Sequence, residues 1–348
     1  MDTFQKVRTQ STDMFDIPYY KMLEKYLQIV GQDPRQRDIF RSIIVTIMVT
    51  SITGIIVPTL FEVYKSLHVK DMDGVIECMP HLIAAITSIV KILNVHFNRE
   101  NFRKLFEFVR KQWEELKLTD DLRVLEEVTI RGSKMAQLYR NTLLIFMLAW
   151  GSVIVVMIIV TVDSLYILII HHSSGLFAVC GHQVHKATGS SIIFSTEAMT
   201  ETYTYEQIKY CVITHDKAIE FYNILNENSR SSYLLQVGLN MMGISMTAVQ
   251  TVANLDRPAE AIRTGIFLGA EQFHLFVISL PGQVLLDHCS DLANNIYGST
   301  WYKIPVKIQK MLLMMQIRSK KLCTLTAGGL YEMNMENFAI VCNIMGQL

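Results

Sequence analysis

Charged residues are scarce in this chain of 348 residues. They make up 18% of the sequence, against about 25% in an ordinary soluble domain. Hydrophobic residues account for 50%, and this balance predicts a membrane protein. The formal net charge is zero, which argues against nucleic-acid binding because proteins of that class carry a basic excess.

Cysteine pairs and catalytic motifs are also missing. The six cysteines show no CxxC spacing, which argues against a disulfide framework or a zinc site. The sequence contains no GxSxG, P-loop, HExxH or dinucleotide fingerprint. We therefore predict that the protein is not an enzyme, uses no cofactor and has no catalytic or metal-binding residues. Residues 1–16 contain no apolar run of the signal-peptide kind, so we expect a cytosolic N-terminus.

Long uncharged runs are what the sequence has instead, and they locate candidate membrane helices. Five such runs are 42–61, 78–90, 141–162, 164–185 and 231–255. A sixth stretch, between Arg263 and Asp287, has 23 residues with one charge, Glu271, and the seventh is divided into 310–317 and 337–348. The second run reaches sufficient length only if Lys91 extends its side chain to the membrane surface.

The stretch 141–185 is too long to be one span. A helix of that length would measure about 65 Å, roughly twice the hydrocarbon thickness of about 30 Å. We therefore predict two helices joined by a tight turn at 161–164, with Asp163 solvated in that turn. This division also places 28 of the 32 lysines and arginines on the cytosolic side, as the positive-inside rule requires.

The predicted fold class is an all-α polytopic membrane protein with seven transmembrane helices, a cytosolic N-terminus and an extracellular C-terminus. We divide the chain into a cytosolic N-terminal segment, six helices with cytosolic helical extensions at 91–140 and 186–232, an anchor region with the first half of helix seven, and a pore helix. Their bounds are 1–41, 42–286, 287–321 and 322–348. Within the first extension, 98–117 has the pattern of an amphipathic helix whose apolar stripe faces the core: Phe102, Leu105, Phe106, Val109 and Trp113.

The stretch 282–338 resembles the C-terminal signature of insect odorant receptors. Its elements are a serine and a Tyr-x-x-x-Trp pair, a half-helix rich in methionine and leucine, an Arg-Ser-x-Lys segment, Leu-Thr-Ala-Gly and Glu-Asn-Phe. The matching residues are Ser290, Tyr297, Trp301, Arg318, Ser319, Lys321, Leu325, Thr326, Ala327, Gly328, Glu336, Asn337 and Phe338. The stretches 19–37, 163–183 and 208–226 resemble the family as well.

This resemblance implies an odorant-gated, non-selective cation channel in the plasma membrane of olfactory neuron dendrites. The family assembles as tetramers with an obligate co-receptor and binds a small volatile odorant among helices two to six. The sequence departs from the family pattern in two places. The family has a sizeable outer loop between helices three and four, where this chain has only 161–164. The end of the last helix, which carries the hydrophobic gate of the pore in the family, is absent. The alternatives are a non-conducting, degenerate receptor and a G-protein-coupled receptor, which would place the N-terminus outside.

The candidate site residues follow from the predicted topology and from the resemblance. An odorant pocket should be apolar and aromatic with one or two polar groups. The candidates for it, each with helix packing as the alternative, are Met79, Leu82, Trp150, Ile154, Met157, Tyr166, Ile169, Gln250 and Phe267. The candidates for the pore are Phe338, Val341, Ile344 and Met345. Glu271 is a further functional candidate because an acid inside a span is costly to bury; it could instead pair with a polar group on helix five.

Overall fold

The apolar runs fold into helices that make up nearly the whole of this computed structural model. The structure describes residues 13–150, 153–189 and 197–345, with side chains throughout these ranges except at 144–150, 197–198, 200 and 345. The helices are α1 (Lys21–Val30), α2 (Asp38–Val69), α3 (Met72–Phe97), α4 (Arg99–Leu116), α5 (Leu122–Trp150), α6 (Val153–Gly189), α7 (Glu197–Ala253), α8 (Pro258–Gly298), α9 (Val306–Ser319) and α10 (Met335–Met345). Two short strands, β1 (Thr326–Ala327) and β2 (Tyr331–Glu332), lie between α9 and α10.

Several predicted spans lie within single helices. The run 42–61 lies in α2, the run 78–90 in α3 and the run 263–287 in α8. Within the described ranges, α2, α3 and α6 are long and apolar enough to cross a membrane. The number of crossings and the side on which each terminus lies stay predictions.

The predicted turn at 161–164 is wrong. These residues are helical and buried within α6, which begins at Val153, whereas α5 ends at Trp150. Two helices do occupy the stretch 141–185, but Ile154 and Met157 belong to the second of them. Trp150 is therefore the last residue of α5, and its side chain lies outside those that the structure describes.

Helix α6 forms the centre of the protein. It packs against α3, α5, α7 and α8, and almost every residue from Ile158 to Cys180 is buried. A helix that is apolar all round is typical of such a central position. Helix α7 is longer still: its 57 residues extend over about 85 Å at about 1.5 Å per residue, which is more than twice the thickness of a hydrocarbon layer of about 30 Å.

The predicted amphipathic stripe is confirmed in α4. Phe102, Leu105, Phe106, Val109 and Trp113 are all buried along one face. The N-terminal segment covers that face, where the ring of Phe15 meets Phe106 edge to face at 5.7 Å. The amphipathic pattern therefore identified a helix that packs through its apolar side.

A glycine turn connects β1 to β2 ahead of α10. Gly328 and Gly329 have φ angles of 65° and 79°, and two consecutive positive φ values are those of a type I′ hairpin turn, which favours glycine strongly. The hairpin is attached to α7, because the Gly328 N–H donates to the Arg230 carbonyl at 3.0 Å. It also touches α8 so closely that a Cβ on Gly282 would lie 1.9 Å from the carbonyl oxygen of Met333.

Candidate ligand cavity

Five helices line a cavity of about 190 Å³. Its walls come from α3, α5, α6, α7 and α8, and most of them are aliphatic or aromatic, including Ile83, Val155, Ile159 and Phe267. An apolar protein cavity of about 150 Å³ is large enough to bind benzene. The space therefore suits a small, mainly apolar molecule.

Polar side chains are concentrated on the part of the wall formed by α7 and α8. Gln236 and Asn240 are one helical turn apart on α7, and Glu271 and His274 are three residues apart on α8. Both spacings put the two side chains on the same face of their helix, and the two helices are in contact. The Asn240 side-chain amide donates to the Glu271 carboxylate, so the acid lines the cavity and also pairs with a polar group on the next helix.

A buried ion pair lies close to this polar wall. The Lys91 ammonium on α3 donates to both carboxylate oxygens of Asp163 on α6, at 2.5 and 2.7 Å. The two residues are 1% and 2% exposed, so the predicted membrane-surface position of Lys91 and the predicted solvated position of Asp163 are both wrong. Each charge can be buried because the other neutralises it.

Hydrogen bonds connect the ion pair to the cavity. The Tyr139 hydroxyl donates to Asp163 at 2.6 Å, and its oxygen lies 2.8 Å from Nδ1 of His274. Because the tyrosine proton is already donated to Asp163, His274 must donate from Nδ1 and keep Nε2 as an acceptor. The Gln236 amide lies 3.4 Å from that Nε2. The chain of contacts thus runs from α3 through α6 and α5 to the cavity wall.

The predicted ligand residues are not all brought together. Phe267 lines the cavity, while Gln250 lines a narrow cleft next to it that Phe267 also borders. Four other candidates are next to cavity-lining residues in the sequence but do not line the cavity themselves. They are Met79 and Leu82 on α3 and Ile154 and Met157 on α6.

Tyr166 and Ile169 lie farther along α6 and are buried among other helices. The Tyr166 hydroxyl accepts from the Asn94 amide at 2.7 Å, and its ring packs against Phe102 and Tyr233. These contacts are typical of packing between helices, which was the alternative interpretation of each ligand candidate. The polar wall residues Gln236, Asn240 and His274 were not among the candidates, although polar side chains inside long apolar runs were a visible signal.

The candidate pore residues lie on α10, which packs on α8. The Phe338 ring contacts Phe276 edge to face at 5.5 Å, and Val341 is partly buried beside the core. Ile344 is 57% exposed, and the Met345 side chain is outside the described part. One face of α10 is thus attached to the bundle and another is open.

Comparisons with known proteins agree with this architecture. Residues 134–346, more than half of the chain, match the family model described as 7tm Odorant receptor. Odorant receptor 24a of Drosophila melanogaster is 26% identical over 83 residues, which are 24% of this chain and 21% of that receptor. The alignment thus spans about a fifth of that relative's length.

Solved structures with the same fold include the insect olfactory receptor OR5 from Machilis hrabei. The match has a TM-score of 0.71 at 10% identity and covers 95% of this chain and 96% of that one. The same receptor in complex with eugenol matches with a TM-score of 0.68 at 10% identity, covering 95% and 97%. At this level of identity the likeness establishes the fold.

Proposed function

The chain belongs to the 7tm odorant receptor family, and from this premise we propose that it is the odorant-binding subunit of a ligand-gated, non-selective cation channel. It would cross the plasma membrane seven times, with a cytosolic N-terminus, and assemble with an obligate co-receptor into a hetero-tetramer in olfactory neuron dendrites. The family match favours this function over a G-protein-coupled receptor.

The cavity between the five helices is the observation that carries the proposal. It lies inside the helix bundle, has a mainly apolar wall and offers a few convergent polar groups, which is the composition expected of a small-molecule site. Eugenol, the ligand of the OR5 complex, is a small molecule with one hydroxyl group, so its chemistry is compatible with a wall of this kind. An odorant that binds more tightly to the open state than to the closed state would shift the channel toward opening.

The test is to fill the cavity from within. Ala270 lines the cavity on α8, and the preceding residue, Gly269, has nothing within 4 Å of a Cβ placed on it. We expect Ala270→Phe to raise the odorant concentration for half-maximal current at least about tenfold, because the added ring removes the space for the ligand. Gly269→Phe is the matched control and should respond like the unmodified receptor, with both variants co-expressed with the co-receptor.

Surface labelling shows whether a variant with a weak response has lost odorant binding or has failed to reach the cell surface. Ala270→Phe that reaches the cell surface and responds normally would exclude this cavity as the odorant site. If the unmodified subunit joins the co-receptor at the surface but no panel of volatiles evokes current, the non-conducting alternative is correct.

A further inference from the structure

Glu271 is an acid without a nearby cation of its own. No other carboxylate and no lysine or arginine lines the cavity in the part of the chain that the structure describes. The Lys91 ammonium is not available to Glu271, because it is hydrogen-bonded to both oxygens of Asp163. A carboxylate in the interior of a membrane protein is costly unless a cation or several donors accompany it.

The polar wall also has more acceptors than donors. The Asn240 amide donates to the Glu271 carboxylate, and its own Oδ1 is buried without a hydrogen-bond partner among the described residues. Turning the amide round would set Oδ1 against the carboxylate, so the hydrogen bond fixes its orientation. The His274 N–H is already donated to Tyr139, as argued above, which leaves no further ring proton for Glu271.

From these two observations we propose that the cavity binds small volatile primary amines as ammonium ions, with Glu271 as the counter-ion. This inference rests on the proposed odorant-binding function and names the ligand class. An ammonium group brings one positive charge and three donors, whereas an alcohol brings one donor and adds acceptors of its own. The alkyl part of the amine would lie against the aliphatic wall formed by Ile83, Val155 and Ile159.

The experiment measures direct binding. The receptor is purified in complex with the co-receptor, and its thermal unfolding is followed against straight-chain amines from butylamine to octylamine and the alcohols of equal carbon number. We expect the best amine to reach half-saturation at a concentration at least about tenfold lower than its matched alcohol, the advantage expected of a charge-paired ligand in a desolvated site.

The variant that isolates the carboxylate is Glu271→Gln, which keeps the size of the side chain and removes its charge. It should raise the half-saturating amine concentration at least about tenfold and leave the matched alcohol within about threefold, a shift of under about 0.7 kcal/mol. Asp291→Asn, an exposed acid of the same helix outside the cavity, is the control and should change neither. If Glu271→Gln does not fold, Glu271→Asp keeps the charge and should bind amines less tightly than the unmodified receptor but still more tightly than alcohols.

The outcomes test the amine assignment separately from the proposed odorant-binding function. Alcohols that bind as tightly as amines, or amine binding that survives Glu271→Gln unchanged, would overturn the amine assignment and leave an odorant cavity in place. If neither series binds, the amine assignment fails, and the Ala270→Phe recordings decide separately whether the cavity is the site of another odorant.

Discussion

Helices α2 and α6 are both strongly apolar, and yet they occupy opposite kinds of position. In its most apolar stretch, α6 has 72% of its residues buried inside the protein, whereas α2 has 11%. Polar residues inside the two apolar stretches include examples of the same difference. Thr46 and Ser51 of α2 donate to their own helix backbone four residues back, while Asp163 and Ser174 of α6 bond to α3 and α8.

The contrast shows what hydropathy does and does not report. Apolar content predicts that a helix avoids water, but both lipid and protein satisfy that requirement. A helix that faces lipid must satisfy its polar groups internally, whereas a central helix can use partners on its neighbours. Within the apolar run 42–61 of α2, the described side-chain hydrogen bonds return to the helix itself, whereas α6 uses partners on its neighbours at Asp163 and Ser174.

The largest expected effect comes from breaking the ion pair that joins α6 to α3. Lys91→Met leaves Asp163 charged and buried, and we expect the free energy of unfolding to fall by about 3–5 kcal/mol. Denaturant unfolding of the purified receptor in detergent would measure this. The double variant with Asp163→Asn should recover part of the loss because no unpaired charge remains.

The matched control is the ion pair of α2. Lys65 and Glu62 are 3.3 Å apart and both well exposed, so Lys65→Met should cost under about 1 kcal/mol. Equal losses at Lys91 and Lys65 would remove the distinction between the two helices.

A smaller effect on the free energy of unfolding is expected from alanine substitutions on the buried face and the exposed face of α2. Ile52 is fully buried, whereas Ile47 is 57% exposed. Ile52→Ala should lower the free energy of unfolding by about 2–4 kcal/mol because a cavity remains. Ile47→Ala should cost well under that, since lipid or detergent fills the space. The same denaturant curves compare the two, and equal costs would mean that the outer face of α2 is covered by protein.

The smallest effect is expected from adding one methyl group to each helix. A Cβ on Gly175 of α6 would lie 2.7 Å from the end of the Leu125 side chain, while one on Gly54 of α2 meets nothing within 4 Å. Gly175→Ala should destabilise by about 1–2 kcal/mol through overpacking, and Gly54→Ala should stabilise by up to about 1 kcal/mol through helix propensity. The sign of the change in unfolding midpoint is the readout, and a stabilising Gly175→Ala would show that α5 and α6 are not tightly packed.

Local patterns predicted the parts of the fold that depend on local chemistry. The uncharged runs located α2, α3 and α8, and the amphipathic stripe located the buried face of α4, because burial follows directly from residue type there.

The boundary between α5 and α6 was misplaced because it depends on a distant contact. Asp163 was taken to mark a turn, since an unpaired charge inside a span is costly. Its partner Lys91 is 72 residues away in the sequence, and nothing local indicates the pairing. The faces of α6 could not be assigned from the sequence either, because they depend on the neighbouring helices: Val155 and Ile159 line the cavity, and Ile154 and Met157 do not.

The close approach of Gly282 to Met333 has a mechanical consequence. Helix α8 lines the cavity as far as His274, and eight residues later, about 12 Å along the same helix, it contacts the segment that starts α10. The Gln283 side chain accepts from the Met335 N–H at 3.0 Å, which attaches the first turn of α10 to α8. Pro281 lies inside the helix between these two places and removes one backbone hydrogen bond there. A ligand that tilts α8 at the cavity would therefore move the start of α10 only as far as the helix transmits the tilt past Pro281.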